Sequence, residues 1–441
     1  MTSSNGDRPV FNSDWDQYID GWDGVTGQAP AVLSVYLQTH SSGFTSVAQS
    51  ISLENSVRIQ AVTNTEIGSH RGLREALTGD RSPLTTGRVV HALYVDGNVP
   101  MGQLPTGPDN VVCRVVERIA EAYRSMISPS LALPRVTVTV TKRIPLSAGL
   151  GSKAADVAAA IVAADRFFGY HFIVRAMGFS APGGTETSSV GSLSSDVVRR
   201  IAQEECPDEN AAIELALEGG TSLIVLDHDV QHPGSDIISQ RTPLLARGPL
   251  WWVITMPVVT SAKMAMPWAA PDREKQAAQR HQIRAGQHFD DEDIADAVES
   301  GAALCHRVVQ RLATQREEMA SGKRPQYSVG SIENIERALV SGDPVDVGHT
   351  MGNDLQPAAT SVIPPLRRVI QAGSRAGALG VIVAHQGPAC AVLCADEGHA
   401  YTVQAELAGS GVVRMARIAP SHRPGSHSGA YLVSDEDKKS P

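Results

Sequence analysis

Residues 142–169, KRIPLSAGLGSKAADVAAAIVAADRFFG, are the ones whose types and spacing best suit chemistry. A strictly alternating run, RVTVTVTK at 135–142, leads into a proline-initiated turn that holds Gly149 and Gly151, and a helix opens near Ser152. Glycines lack a Cβ and so let backbone amides approach an anion closely. The start of a helix adds unpaired N–H groups and the positive end of a dipole. Pro145, Ser147, Ala148, Gly149, Leu150, Gly151, Ser152, Lys153, Ala154 and Ala155 would together cradle a phosphate. The spacing is neither that of a Walker A loop nor that of GxGxxG. On pattern alone, a tight strand-to-helix turn inside a core is the favoured reading.

A second glycine segment, GALGVIVAHQGPACAVLCADE at 377–397, places His385, Gln386, Gly387 and Pro388 between two short apolar runs. Alone it is a hairpin, with His385 either a turn residue or a donor to a phosphate or hydroxyl. The stretch LDHDVQH gathers Asp227, His228, Asp229 and His232. It ends at Pro233-Gly234, so it reads first as a solvated turn and only second as a metal set. Asp109 or Asn110 precedes an apolar-periodic run and suits a helix cap.

These residues need elements to hold them. AVLSVYLQT, SVRIQAV, TSLIVLDHD and LWWVITMP read as strands, and 109–123 and 365–376 as helices. The run 291–312 has apolar spacing for a long amphipathic helix. A helix after the Gly/Ser/Thr-rich stretch 170–192 would be capped by Ser194 or Ser195, and 170–192 itself reads as an inserted loop. Strands and helices mix without a regular βαβ rhythm, so the expected fold class is α+β with two lobes. Residues 1–28 are expected to be a loose extension, with Trp15 and Trp22 tacking it to the body. The lobes are expected at 29–248 and 249–420, and 421–441 as a disordered tail.

Composition bounds the function. The 441 residues carry 38 Lys and Arg against 47 Asp and Glu, a net charge of −9, which disfavours a nucleic-acid binder. No apolar run is long enough to span a membrane, and the acidic opening does not read as a signal peptide. The five scattered cysteines fit buried thiols in a reducing cytoplasm, the expected location.

The two glycine segments and their separation resemble the GHMP kinase superfamily. Within it the likeness is strongest to the 4-diphosphocytidyl-2-C-methyl-D-erythritol kinases of isoprenoid precursor synthesis. APAVLSVYLQ, SSGFTSVAQSISLENSV, PDNVVCRVVERIAEA, KRIPLSAGLGSKAADVAAA and GNDLQPAATSVIPPLRRVIQAGSRAGALGVIVAHQGPACAVLCADE carry it, from Ala29 to about Ile418. The resemblance implies a ribosomal-protein-S5-like N-terminal domain and a ferredoxin-like C-terminal domain. It implies ATP with Mg²⁺ between them, its phosphates on the 145–155 loop, and transfer to an alcohol of a small molecule. It implies neither a nucleic-acid nor a membrane partner, and leaves the oligomeric state open. Asn353 and Asp354 resemble the family's Asn-Asp-Leu, and Asp156 stands where an acid often sits just inside the helix, a seat from which it would reach Mg²⁺ through water.

The sequence departs from that family where chemistry is expected. Val32 replaces the family's lysine, Ser34 its asparagine, and Gly219-Gly220-Thr221 the motif that carries its catalytic aspartate. The acceptor motif reads Ser42-Gly43-Phe44-Thr45, without its acid and imidazole. Lys153 is a candidate replacement charge at the phosphates; its rival reading is a lysine pointing into solvent. Two functions follow: an ATP-dependent kinase whose substrate has changed, or an inactive relative that binds nucleotide or metabolite as a regulator.

Overall fold

The computed structural model describes residues 24–40, 43–62, 89–97, 104, 107–127, 133–169, 192–227, 238–258, 314, 331–385, 387–421 and 429–433. The apolar run after residue 24 forms β1 (Val25–His40), which turns back as β2 (Gly43–Ala61) in a long antiparallel pair. β1 is buried along most of its length, whereas β2 is buried through its middle and alternates between buried and half-buried residues from Leu53 onward. β3 (Val90–Gly97) pairs parallel with β4 (Val136–Lys142), whose Val/Thr alternation buries every second side chain.

One feature of this sheet creates the site. β2 is long enough to serve two partners: Gly43–Gln49 pair with β5 (Thr221–Asp227), whereas Ser56–Ala61 pair with β4. The sheet forks between them. At the fork the Ser50 amide donates to the Gly220 carbonyl at 2.9 Å, and the Ser52 amide to that of Pro420 at 2.9 Å. β6 (Ile238–Leu244) closes the β5 side.

Helices cover the sheet. α1 (Val111–Ile127) is capped by Asn110, whose Oδ1 accepts from the Val112 amide at 2.9 Å. α2 (Ser152–Gly169) is buried along nearly its whole length, since its alanines let backbone approach backbone. At Gly27 of β1 an added Cβ would lie 2.3 Å from the Ala159 carbonyl oxygen. α3 (Ser195–Glu205), capped by Ser194, and α4 (Asn210–Glu218) complete the layer.

The second lobe is a four-stranded sheet in the order β11–β7–β10–β9, built from β7 (Trp251–Pro257), β9 (Gly380–Val383), β10 (Cys390–Cys394) and β11 (Val413–Ile418). α5 (Ile332–Ser341), α6 (Pro344–Thr350), α7 (Gln356–Val362), α8 (Pro365–Arg375) and α9 (Glu397–Gly409) accompany it. The described strands form two sheets, and the chain returns from the second half to the first sheet. β8 (Gly352–Asn353) returns from the second half to pair with β1.

Of the tail expected from 421 onward, Ser421 and residues 429–433 are described, and both stretches are tied to the body. Ser421 bridges to Ile51 and its hydroxyl accepts from the Leu250 amide at 2.9 Å. β12 (Tyr431–Leu432) pairs with Gly27 and Gln28 on the edge of β1. Backbone pairing overrides the polar composition of this stretch, because the edge of β1 offers unpaired groups. β1 also begins inside the extension expected to reach residue 28. Trp15, Trp22, the 170–191 part of the expected inserted loop and the helix expected over 291–312 lie outside the described residues.

Candidate active site

The expected phosphate loop sits at the fork of β2, between the end of β4 and the start of α2. Its backbone is left-handed at Ser147, Gly149 and Gly151, with φ of 49°, 78° and 63°. Each glycine has a packing reason. A Cβ on Gly149 would meet the Ala384 carbonyl oxygen at 2.1 Å and the Gly387 amide nitrogen at 3.0 Å. A Cβ on Gly151 would meet that of Val32 at 3.1 Å. The Val32 amide donates to the Leu150 carbonyl at 3.1 Å, and the Ala389 amide to that of Ala148 at 3.2 Å. The glycines thus bring the two expected loops into backbone contact, and Ala148 and Leu150 anchor the turn in the core. Beyond them the amides at the start of α2 open the helix, and the Ala155 amide makes the first intrahelical bond, to Gly151 at 2.9 Å.

Under the loop lies a buried polar cluster. Asn55 of β2 accepts from the Arg143 and Ile144 amides at 2.9 and 2.8 Å through Oδ1. Its Nδ2 donates to Asp156 Oδ1 at 2.7 Å and to the Ser152 carbonyl at 3.2 Å. The Lys142 ammonium pairs with Asp156 Oδ2 and donates to the Ser152 carbonyl at 3.3 Å. Ser152 Oγ donates to the Ile144 carbonyl at 3.2 Å. Burial raises the pKa of the Asp156 carboxyl, and Lys142 and Asn55 pull it the other way.

Two of the candidate residues have protein partners. Each Asp156 carboxylate oxygen carries one contact, Oδ1 from Asn55 and Oδ2 from Lys142. Lys153 is half-exposed, and its ammonium stands 3.4 Å from the Glu209 carboxylate. A like-signed dipole end repels the ammonium, and the Glu209 carboxylate draws it away.

The second loop is held from β8. Asn353 Nδ2 donates to the Val383 and His385 carbonyls at 2.8 and 2.7 Å. Asp354 Oδ2 accepts from the Thr39 amide at 2.8 Å and from its hydroxyl at 3.1 Å. His385 is itself left-handed, φ 43°, and its imidazole packs edge-on against Phe44. Burial pushes its pKa down to about 4, so the ring is neutral at physiological pH. The acceptor-motif residue Phe44 and the second loop therefore meet across the lobes. Gly43 and Thr45 flank Phe44 on β2, where a Cβ on Gly43 would lie 1.8 Å from the Leu226 carbonyl oxygen. Pro388 and Gly387 are buried beside His385. Ser42 and Gln386 lie outside the described residues.

Val32 and Thr221 are both buried and uncharged, on neighbouring parts of the fork: Val32 faces Ser50 across β1–β2, and Gln49 faces Thr221 across β2–β5. Thr221 Oγ1 accepts from Gln49 Nε2 at 3.1 Å. Among the described residues no group of three or more His, Cys, Asp or Glu is placed to hold a metal. Asp227 stands 3.4 Å from His40 instead, and His228, Asp229 and His232 lie outside the described residues. Cys113, Cys206, Cys390 and Cys394 are buried and form no disulfide, and burial pushes the Cys390 thiol up to about 12. No helix among the described residues is long and apolar enough to cross a membrane.

Asn55 and Lys142 escaped the sequence reading. The signal was present for Lys142, a charged residue closing an otherwise half-buried strand. Nothing local marks Asn55.

Comparison with known proteins agrees with this arrangement. Residues 110–177 match the GHMP kinases N terminal domain model and 333–412 the GHMP kinases C terminal model. The chain is 31% identical over 333 residues to the 4-diphosphocytidyl-2-C-methyl-D-erythritol kinase of Saccharopolyspora erythraea, covering 76% of each. It is 29% identical over 324 residues to that of Nocardia farcinica, covering 74% of this chain and 76% of the relative. The homoserine kinase of Cytophaga hutchinsonii shares the fold, with a TM-score of 0.50 at 15% identity over 94% of this chain and 98% of that one. With the glycine loops in contact and a relative of this identity matched over most of both lengths, the chain belongs to the GHMP kinases, small-molecule kinases that use ATP as phosphate donor.

Proposed function

We propose that this protein transfers the γ-phosphoryl group of ATP to a hydroxyl of a small molecule. The observation that carries the reading is the backbone contact between the two glycine loops, Ala389 to Ala148 and Gly149 against Ala384. It sets the start of α2 beside the two loop turns, with Phe44 of the acceptor motif packed against His385 of the second loop. Phosphoryl transfer relies on positioning and charge stabilisation more than on covalent chemistry. The residues suit ATP in that sense: amides of the loop and first turn ahead of Ala155 would meet the polyphosphate, and neutral His385 with Phe44 would border the acceptor. Asp156 is paired with Lys142 and Asn55, so in this reading Mg²⁺ enters with the nucleotide as Mg-ATP.

The hydroxyl loses its proton as the new O–P bond forms and ADP leaves. Val32 and Thr221 supply no charge for that step. A general base contributes about 10²–10⁴-fold, so its loss slows the reaction and does not forbid it. The default acceptor, from the relatives' substrate, is 4-diphosphocytidyl-2-C-methyl-D-erythritol. The altered Ser42-Gly43-Phe44-Thr45 motif favours a different small alcohol, with homoserine and threonine as alternatives.

One observation supports a second reading, a nucleotide- or metabolite-binding regulator: Val32 and Thr221 are both uncharged and buried. Incubating the protein with Mg-ATP and a panel of the cytidyl-erythritol, homoserine, threonine and mevalonate, with ADP release measured, separates the two. ADP with one acceptor establishes the kinase. ATP binding without turnover on any acceptor establishes the regulator, and no ATP binding removes both.

A further inference from the structure

The buried cluster beneath the phosphate loop has more connections than a core needs. The loop 145–151 leaves β4 at Arg143 and Ile144 and enters α2 at Ser152. Asn55 Oδ1 takes both departing amides, while its Nδ2 takes the Ser152 carbonyl and Asp156 on the returning side. These partners fix the orientation of the Asn55 amide, since only its oxygen can accept from two N–H groups. Ser152 Oγ ties the returning side directly to the Ile144 carbonyl. Lys142 completes the clip: its ammonium, 3% exposed, joins Asp156 one turn inside α2 and the Ser152 carbonyl at its start.

We propose that Lys142, with Asp156 and Asn55, is the positioning element of the phosphate loop, clamping both of its ends so that the leading amides of α2 stay aimed at the polyphosphate. Lys142 touches no phosphate; it acts through Ser152 and Asp156. The site's buried cation is thereby turned into the floor, not the cradle. A paired lysine and aspartate here are electrically neutral towards the ligand, so selectivity for the triphosphate comes from loop geometry. The loop's one left-handed non-glycine residue, Ser147, holds its conformation only while the surroundings over-determine it. This inference rests on the phosphate-binding reading above.

The test compares wild type with Lys142→Arg, Asn55→Ala and the double variant Lys142→Met/Asp156→Leu. The double variant removes both charges, because breaking the pair singly leaves an uncompensated buried ion. Two readouts are taken: hydrogen exchange of amides 143–156 without ligand, and calorimetric affinity for AMP-PNP and for adenosine. The clamp predicts faster loop exchange in the double variant and in Asn55→Ala. It also predicts AMP-PNP affinity weakened about tenfold or more, with adenosine affinity kept and Lys142→Arg close to wild type. A merely structural role would lower the melting temperature and spare that split, as Leu407→Ala in the second lobe's core should. Unchanged loop exchange, or unchanged AMP-PNP affinity, in either folded variant overturns the clamp; should the double variant not fold, Asn55→Ala decides. Wild type that binds no AMP-PNP overturns the phosphate reading, and loop exchange alone then shows whether the clip exists.

Discussion

The imidazole of His385 stands edge-on to the ring of Phe44, with ring centroids 4.9 Å apart and planes inclined by 76°. The contact joins the second glycine loop to β2 and brings a neutral ring to the rim of the site. Asn353 makes it possible by holding the His385 carbonyl, which leaves the side chain free to turn towards Phe44.

That burial has a pH signature. The histidine's folded pKa of about 4 lies below its ordinary 6.5, so the unfolded chain takes up the proton first as pH falls. The stabilisation is complete above about pH 6.5 and is lost progressively towards pH 4. Melting temperatures of wild type and His385→Gln, measured from pH 7.5 to 4.5, should coincide in slope at the upper end. Below pH 6.5 the wild-type curve should fall more steeply. Parallel curves throughout would show that His385 is not held neutral.

Gly149 and Gly220 offer a matched pair. Both have left-handed backbones, φ 78° and 83°, but a Cβ on Gly149 runs into the Ala384 carbonyl while one on Gly220 meets nothing within 4 Å. Gly149→Ala should cost about 2–4 kcal/mol, from the backbone strain and the overpacking together, and weaken ATP binding by about tenfold or more. Gly220→Ala should cost only about 1–2 kcal/mol. Chemical denaturation and calorimetry check both. Equal losses in the two variants would mean that the loops are not in contact in solution.

The half-exposed Lys153–Glu209 pair is the third case. Exposed pairs contribute about 0–1 kcal/mol, so Lys153→Ala should move stability by less than about 1 kcal/mol. With its ammonium directed to Glu209, ATP affinity should stay within about twofold, a change of less than about 0.5 kcal/mol. A tenfold loss on calorimetry would return the ammonium to the phosphates.

Much of this protein is written locally. The Val/Thr alternation of β4 requires a half-buried strand; Asn110 and Ser194 announce their helices; and the alanines of α2 require close packing. Such features depend on side-chain period and on hydrogen bonds to nearby backbone, so a window of ten residues suffices to read them. The pairing of the two glycine segments came instead from resemblance, since neither segment alone distinguishes a ligand loop from a turn.

Tertiary structure decided what the charges do. Asp156 has the composition of a metal-adjacent acid, yet Asn55, 101 residues away, and Lys142 occupy its oxygens. Lys153 has the position of a phosphate cation, yet Glu209 holds it. The tail from Ser421 is polar enough to stay free, yet the edge of β1 recruits Tyr431 and Leu432. A charge or an unpaired backbone group is satisfied by whichever partner the folded chain brings nearest. Nearness between distant segments is a property of closure, here of a single strand long enough to fork its sheet, and no local pattern encodes it.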